Sequence, residues 1–257
     1  MQILKLGGSV VTHKDKDYTE HSENIKRLAK EIAEASSFPL IIVHGGGSFG
    51  HPHAKKHGIA DGFSESTQLL GFSGTHQAMM RLNKIIVDAL LEQGVPAFSL
   101  SVSSMLKTDG KRLNELDTGI LKSFIETGLT PVLYGDAVLD SEQGFAILSG
   151  DQLTAKLAIE LKPENVIFGS DVDGIYTENP KNHPNPKFLK TISINNVSAN
   201  VGDTTHTDVT GGMEGKLSEA STIVRNGSTV IIINASKPNR VKNALLGETV
   251  IGTKLTL

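Results

Sequence analysis

Leu40-Ile41-Ile42-Val43-His44-Gly45-Gly46-Gly47-Ser48-Phe49-Gly50-His51 decides how this chain is read. An apolar segment of strand length runs straight into a run of glycines. In open parallel sheets, ligands bind beyond the carboxyl ends of the strands. Glycine there lets backbone N–H groups approach an anion without interference from a Cβ.

The same arrangement recurs along the chain. Leu4-Lys5-Leu6 is followed by Gly7-Gly8-Ser9, Ser149-Gly150-Asp151 opens one helical pattern, and Thr210-Gly211-Gly212-Met213-Glu214-Gly215-Lys216 opens another. A helix behind such a loop adds unpaired donors and a favourable dipole. One glycine after a strand is also an ordinary tight turn; four such loops, two with a lysine nearby, point to phosphate. Gly45–Gly50 fits G-x-G-x-x-G, but His51-Pro52-His53-Ala54-Lys55-Lys56-His57 and the polar residues after it supply no second apolar strand before Gln77. A dinucleotide fingerprint requires that strand, with an acidic residue at its end. No Gly-Lys-Ser/Thr closes any loop, so the Walker A pattern is absent as well.

Strands are predicted over 3–6, 40–43, 97–100, 130–134, 166–169 and 229–233, with helices over 22–35, 77–93, 116–127, 152–161 and 215–225. In the second helix Met79, Leu82, Ile86, Ala89 and Leu90 recur at spacings of three and four, one helix face. Regular β–α alternation predicts a mainly parallel sheet covered by helices on both sides. Residues 138–149 read as a hairpin-like excursion with Asp140, Ser141 and Gly144 as turn formers, and 178–187 as a proline-rich loop. No linker or repeat divides the 257 residues, so they are read as one folded unit.

Composition narrows the function. A formal net charge of −3 argues against a nucleic-acid partner. The chain has no cysteine, which removes thiol catalysis, disulfides and thiolate metal sites. No apolar run has membrane-spanning length, and Met1-Gln2-Ile3-Leu4-Lys5-Leu6 enters a strand without a signal peptide, so a cytoplasmic address is expected.

Lys5-Leu-Gly-Gly-Ser9, the loop from His44 to His51, Ser149-Gly-Asp151, Asp171-Val-Asp-Gly-Ile-Tyr176 and Asp208-Val-Thr-Gly-Gly-Met213 together resemble the amino acid kinase superfamily. Within it they are most similar to the isopentenyl phosphate kinases, chiefly on Gly47-Ser-Phe-Gly-His51, a stretch that fosfomycin-type kinases approach. The motifs run in order over nearly the whole chain. The resemblance implies an α/β fold, a three-layer αβα sandwich with a mainly parallel central sheet. It implies one domain over 1–257, with about 1–160 holding a phosphate acceptor and about 161–257 holding ATP and Mg²⁺. It also implies a homodimer and transfer from ATP to isopentenyl phosphate, giving the diphosphate used in isoprenoid biosynthesis. A phosphonate kinase is the alternative acceptor class, and a non-catalytic nucleotide-binding regulator the alternative kind of protein.

Phosphoryl transfer needs positioning and charge stabilisation more than covalent chemistry. Lys5, Lys14 and Lys216 are the candidate cations, although Lys14, in the run His13-Lys-Asp-Lys-Asp17, also reads as a solvated charge. Asp151 matches the family aspartate that orients the lysines, and doubles as an ordinary first-turn carboxylate. An acceptor phosphate is already ionised and needs no base, so His51, directly behind the glycine run, is expected to donate a hydrogen bond and hold the acceptor in line. The acceptor cradle is expected from Gly46, Gly47, Gly50, His51 and Gly150. ATP is expected on Lys5, Gly7, Gly8, Ser9, Gly47, Asp171, Tyr176, Gly212 and Lys216. No protein-held metal site is expected. His44 reads as a brace for the loop, and His13, His53, His57 and His183 as structural or exposed. Phe72, Met79, Val138 and Ile147 are candidate linings for an apolar tail.

Overall fold

The computed structural model describes residues 1–35, 39–177, 186–196 and 212–257. Its centre is β1 (Gln2–Leu6), whose five residues are all buried. A parallel strand covered on both faces reads as a continuous run of this kind. Parallel partners lie on either side: β2 (Leu40–His44) and β7 (Asn165–Ser170). Beyond β2 come β4 (Thr130–Tyr134) and β3 (Ala97–Ser99). Beyond β7 come β11 (Thr229–Asn234), the antiparallel β12 (Gly252–Thr256) and β10 (Thr191–Ser193). The eight-stranded order is β10-β12-β11-β7-β1-β2-β4-β3.

The chain moves outward from β1 through β2 and then returns to the other side of β1 at β7. This reversal of strand order opens a crevice at the carboxyl ends, where open α/β sheets bind ligands. Side chains from one face of the sheet, including Leu4, Ile42 and Ile167, pack with α2 (Ser22–Ala35), α4 (Gln68–Glu92) and α8 (Arg240–Leu245). The other face, including Ile3, Val43 and Phe168, packs with α5 (Gly119–Glu126), α6 (Gly150–Leu161) and α7 (Gly212–Arg225). The three-layer αβα sandwich with a mainly parallel sheet is thus present. The excursion after β4 is an antiparallel hairpin, β5 (Asp136–Asp140) with β6 (Gly144–Leu148). A ribbon of β8 (Ile175–Tyr176) with β9 (Phe188–Leu189) borders the loop predicted over 178–187, of which 178–185 lie outside the described residues.

Two helical segments depart from the sequence reading. α3 (Gly47–Lys56) contains Pro52 and was not expected. Proline cannot donate to the carbonyl four residues back, and that carbonyl, of Ser48, accepts the Tyr18 amide instead at 3.0 Å. α4 begins at Gln68, nine residues before its predicted start at Gln77. Gly71 and Gly74 hide this first part, since glycine disfavours helix interiors. Both are required by packing: a Cβ on Gly71 would collide with His57, the residue that caps α3, and one on Gly74 with the ring of His53 within it. Smaller corrections fall at element ends: β3 stops at Ser99, α5 begins at Gly119, and α6 and α7 begin at Gly150 and Gly212. β10, α8 and β12 are further elements without a sequence expectation.

Candidate active site

Two glycine loops meet back to back at the centre of the crevice. β1 ends at Leu6 and leads into α1 (Gly8–Val11); β2 leads into α3. Gly47 has φ 48°, a conformation side chains resist, and a Cβ there would lie 2.7 Å from the Gly8 carbonyl oxygen. A Cβ on Gly8 would collide with the Gly47 amide. Thr12 stitches the loops together: its hydroxyl accepts the Ser48 amide at 3.0 Å and donates to the Gly8 carbonyl at 2.8 Å. Met79 of α4 lies beneath, close enough that a Cβ on Gly46 would stand 2.9 Å from its sulfur.

Beside this glycine wall stands a wall of charge. Lys5 shares the face of β1 that carries Ile3, and its Nζ lies 2.6 Å from Asp151 Oδ1. Lys216, on the second turn of α7, donates to both Asp151 oxygens at 3.0 Å. The side chains of Lys5, Asp151 and Lys216 are 6%, 18% and 10% exposed. Asp151 is placed in the first turn of α6, whose cap Ser149 accepts the Gln152 amide at 3.1 Å. Burial raises the Asp151 carboxyl, but the Lys5 and Lys216 ammonium groups outweigh it and hold the group at about 2. Burial, reinforced by Lys5, lowers Lys216 to about 8. Two ammonium groups around one carboxylate leave a surplus positive charge in a poorly solvated place. That surplus suits an incoming polyanion.

The cleft holds about 500 Å³, the size of a small-molecule site. Lys5, Gly7, Gly8, Ser9, Gly46, Gly47, Gly50, His51, Gly150, Asp151, Asp171 and Lys216 all line it, as does Lys14. Lys14 Nζ reaches across to Asp171 at 2.9 Å while remaining 62% exposed. Burial raises Asp171, and its hydrogen bond from Lys14 overrides that and lowers it. His51 sits half-buried on α3, facing the same space. Tyr176 is not among the cleft residues; its ring packs edge-on against Phe188 at 5.4 Å. Gly212 opens α7, and its neighbour Met213 lines the cleft. The Asp208–Gly211 part of the last motif lies outside the described residues. Among the described residues no group of three or more His, Cys, Asp or Glu could hold a metal.

His44 braces the loop as expected. Burial lowers its imidazole to about 4, so the ring is neutral. Asn83 donates to Nε2 at 3.1 Å, leaving Nδ1–H to donate to the Gly45 carbonyl at 3.1 Å. Of the four tail candidates, Met79 and Ile147 line the cleft. Phe72 stands behind them, stacked on Phe145 at 5.0 Å. Val138 belongs to the main core on the other face of the hairpin and is removed from the set. Ala54 joins the apolar end, and Asp136 and Ser170 line the cleft without having been singled out. Asp136 had a legible signal: Tyr134-Gly135-Asp136 repeats the strand–glycine–aspartate order of Leu148-Ser149-Gly150-Asp151 with one residue fewer.

A parallel sheet with glycine loops at its switch point, and buried lysines paired to a helix-end aspartate, defines a small-molecule phosphotransferase class. The chain belongs to the amino acid kinase family, which matches residues 1–234. It is 43% identical to the isopentenyl phosphate kinase of Methanothermobacter thermautotrophicus, over 100% of this chain and 99% of that relative. Among solved structures, an isopentenyl phosphate kinase superposes with TM-score 0.89 at 40% identity, over 100% of both chains. An isopentenyl phosphate kinase substrate complex gives 0.84 at 31%, over 99% of this chain and 100% of that one.

Proposed function

We propose that this chain transfers the γ-phosphoryl group of ATP to isopentenyl phosphate, forming isopentenyl diphosphate and ADP. The observation that carries the reading is the Lys5–Asp151–Lys216 cluster at the junction of the two glycine loops, in a chain 43% identical throughout to an isopentenyl phosphate kinase. The terminal oxygen of the acceptor phosphate attacks the γ-phosphorus in line, and the bond to the ADP oxygen breaks. Lys5 and Lys216 concentrate positive charge where the two anions meet; Asp151 fixes the geometry of both and takes no proton. Lys14 leaves Asp171 to join them. The amides of Gly8, Ser9, Gly47 and Gly212 hold nucleotide phosphates, with Asp171 bordering the nucleotide; the Gly7 amide bonds the Gly169 carbonyl at 2.8 Å, so Gly7 shapes the turn and donates nothing. Gly46, Gly47, Gly50 and Gly150 cradle the acceptor, and His51 donates to it.

Mg²⁺ fits as an ion carried on the nucleotide phosphates, because it keeps waters and needs few protein ligands. Ser170 and Asp171 are the hard oxygen donors at that end of the cleft, and the ion supplies charge neutralisation. The acceptor half is about 1–160 and the nucleotide half about 161–257. Ala54, Met79 and Ile147 offer an apolar surface to the prenyl tail. A homodimer and a cytoplasmic address belong to the same proposal, the first tested by light scattering and the second by fractionation. Among the described residues no helix is long and apolar enough to cross a membrane.

ADP release with Mg·ATP and a panel of isopentenyl phosphate, a phosphonate, a nucleoside monophosphate and glutamate tests the reading. Isopentenyl phosphate is expected to give the highest kcat/KM; a clear preference for another member would overturn the acceptor assignment.

A further inference from the structure

The acceptor side of the cleft contains a second pair, a buried carboxylate against a half-buried imidazole, that the transfer chemistry does not use. Asp136, directly after Gly135 at the carboxyl end of β4, has a fully buried side chain. One oxygen lies 2.6 Å from His76 Nδ1, and the other accepts the Ala137 amide at 2.8 Å. His76 sits on α4 between Gly74-Thr75 and Met79, and both Thr75 and Met79 line the cleft, as does Asp136 itself. From the 3-10 turn Val102–Ser104, Ser103 Oγ lies 3.3 Å from the same imidazole nitrogen. Ser101 Oγ lies 2.9 Å from Ser103, with the Tyr134 hydroxyl of β4 bonded to Ser101. The other titratable groups lining the cleft are Lys5, Lys14, Asp17, His51, Asp151, Asp171 and Lys216.

A carboxylate without solvent access beside an anion site is doubly unfavourable, since it costs desolvation and repels the ligand. A proton on the neighbouring imidazole cancels that charge. From this geometry we infer that His76 and Asp136 are a positioning pair, held charge-neutral by the imidazole proton, that sets the affinity of the cleft for the acceptor phosphate. This rests on the acceptor lying in the first half of the chain, as proposed above. The hydrogen bond that His76 donates to Asp136 raises the imidazole, against the effect of burial. When pH rises through that elevated value the proton leaves, the pair becomes a net negative charge, and acceptor binding weakens. ATP, at the β7 end, is unaffected.

The test uses charge logic that simple structural damage does not follow. His76→Gln leaves the carboxylate uncompensated and is expected to raise the acceptor KM about tenfold at pH 7, leaving the ATP KM unchanged. The double variant His76→Gln/Asp136→Asn is neutral at every pH. It is expected to recover most of the acceptor affinity and to lose the alkaline rise in acceptor KM. A double variant no better than the single, or a single variant with wild-type acceptor KM across the pH range, would overturn the inference. Imidazole titration by NMR in the full-length wild type and in Asp136→Asn needs no turnover. The His76 resonance is expected to titrate above the ordinary histidine value and to fall toward it in Asp136→Asn; identical titration in the two would also overturn it. Because this readout is independent of the acceptor, its failure is distinct from a failure of the proposed reaction.

Discussion

The two walls of the cleft are built by opposite means. The Gly7–Gly8 and Gly45–Gly47 wall works by omission: without side chains, two strand-end loops approach to backbone contact. The Lys5–Asp151–Lys216 wall works by concentration, holding two ammonium groups on one carboxylate at 2.6 and 3.0 Å with little solvent. The first wall is inseparable from the fold, because the loops are also the junction between β1 and β2. The second is an attachment to the fold, since removing a lysine leaves β1 and α7 otherwise intact. The two walls should therefore respond differently to mutation.

The largest expected effect is on the charged wall. Lys216→Met keeps the stem but removes one of the two cations, and turnover should fall roughly 10²–10³-fold. The melting temperature should stay near wild type by calorimetry, because Lys5 still pairs with Asp151. The glycine wall should show the reverse balance. In Gly47→Ala, strain at positive φ and the clash with Gly8 should cost about 1–3 kcal/mol of stability in urea unfolding, with activity falling in parallel. If Gly47→Ala lost activity at full stability, the contrast between the walls would fail.

A pH series sharpens the same contrast. Lys216 loses its proton near pH 8 in the free protein, so kcat/KM for ATP should decline above that value. A bound phosphate holds the proton, so kcat should remain level to higher pH. Both groups titrate lower in the folded state, so each makes stability rise with pH, but in separate ranges. The unfolded chain keeps the lysine proton to its ordinary 10.5, so the Lys216 contribution to stability grows between about 8 and 10.5. Asp151, lowered from 3.8 to about 2, contributes stability above its unfolded value that is lost as pH falls through about 2. The smallest effect is expected at His51. His51→Ala should raise the acceptor KM, with a cost of about 1–3 kcal/mol, whereas His51→Gln keeps an N–H donor and should recover part of it. A selective loss for ATP in His51→Ala would show the two substrates in exchanged halves.

The parts of this molecule legible in the sequence were those where one residue type has one physical use. The buried strands at 130–134 and 229–233, the amphipathic helix at 22–35 and the glycine loops after β1, after β2 and before α6 all fall where expected. Lys5 was legible because a charged residue between Leu4 and Leu6 on a buried strand needs a partner, and Asp151 supplies it. What stayed hidden depends on partners distant in sequence. The α3 helix survives Pro52 because Tyr18 satisfies the Ser48 carbonyl. The early start of α4 depends on two histidine rings that occupy the space a Cβ would fill. His76 carries no local signal; only the fold brings it to Asp136, 60 residues away.

Phosphorus NMR on the wild-type protein with Mg·ATP and isopentenyl phosphate bears most directly on the account. The monophosphate resonance should be replaced by the paired doublets of a diphosphate, in step with ADP, and neither should appear without the acceptor. ATP consumption unaffected by isopentenyl phosphate, or an acceptor resonance that persists unchanged while ATP is hydrolysed, would contradict it.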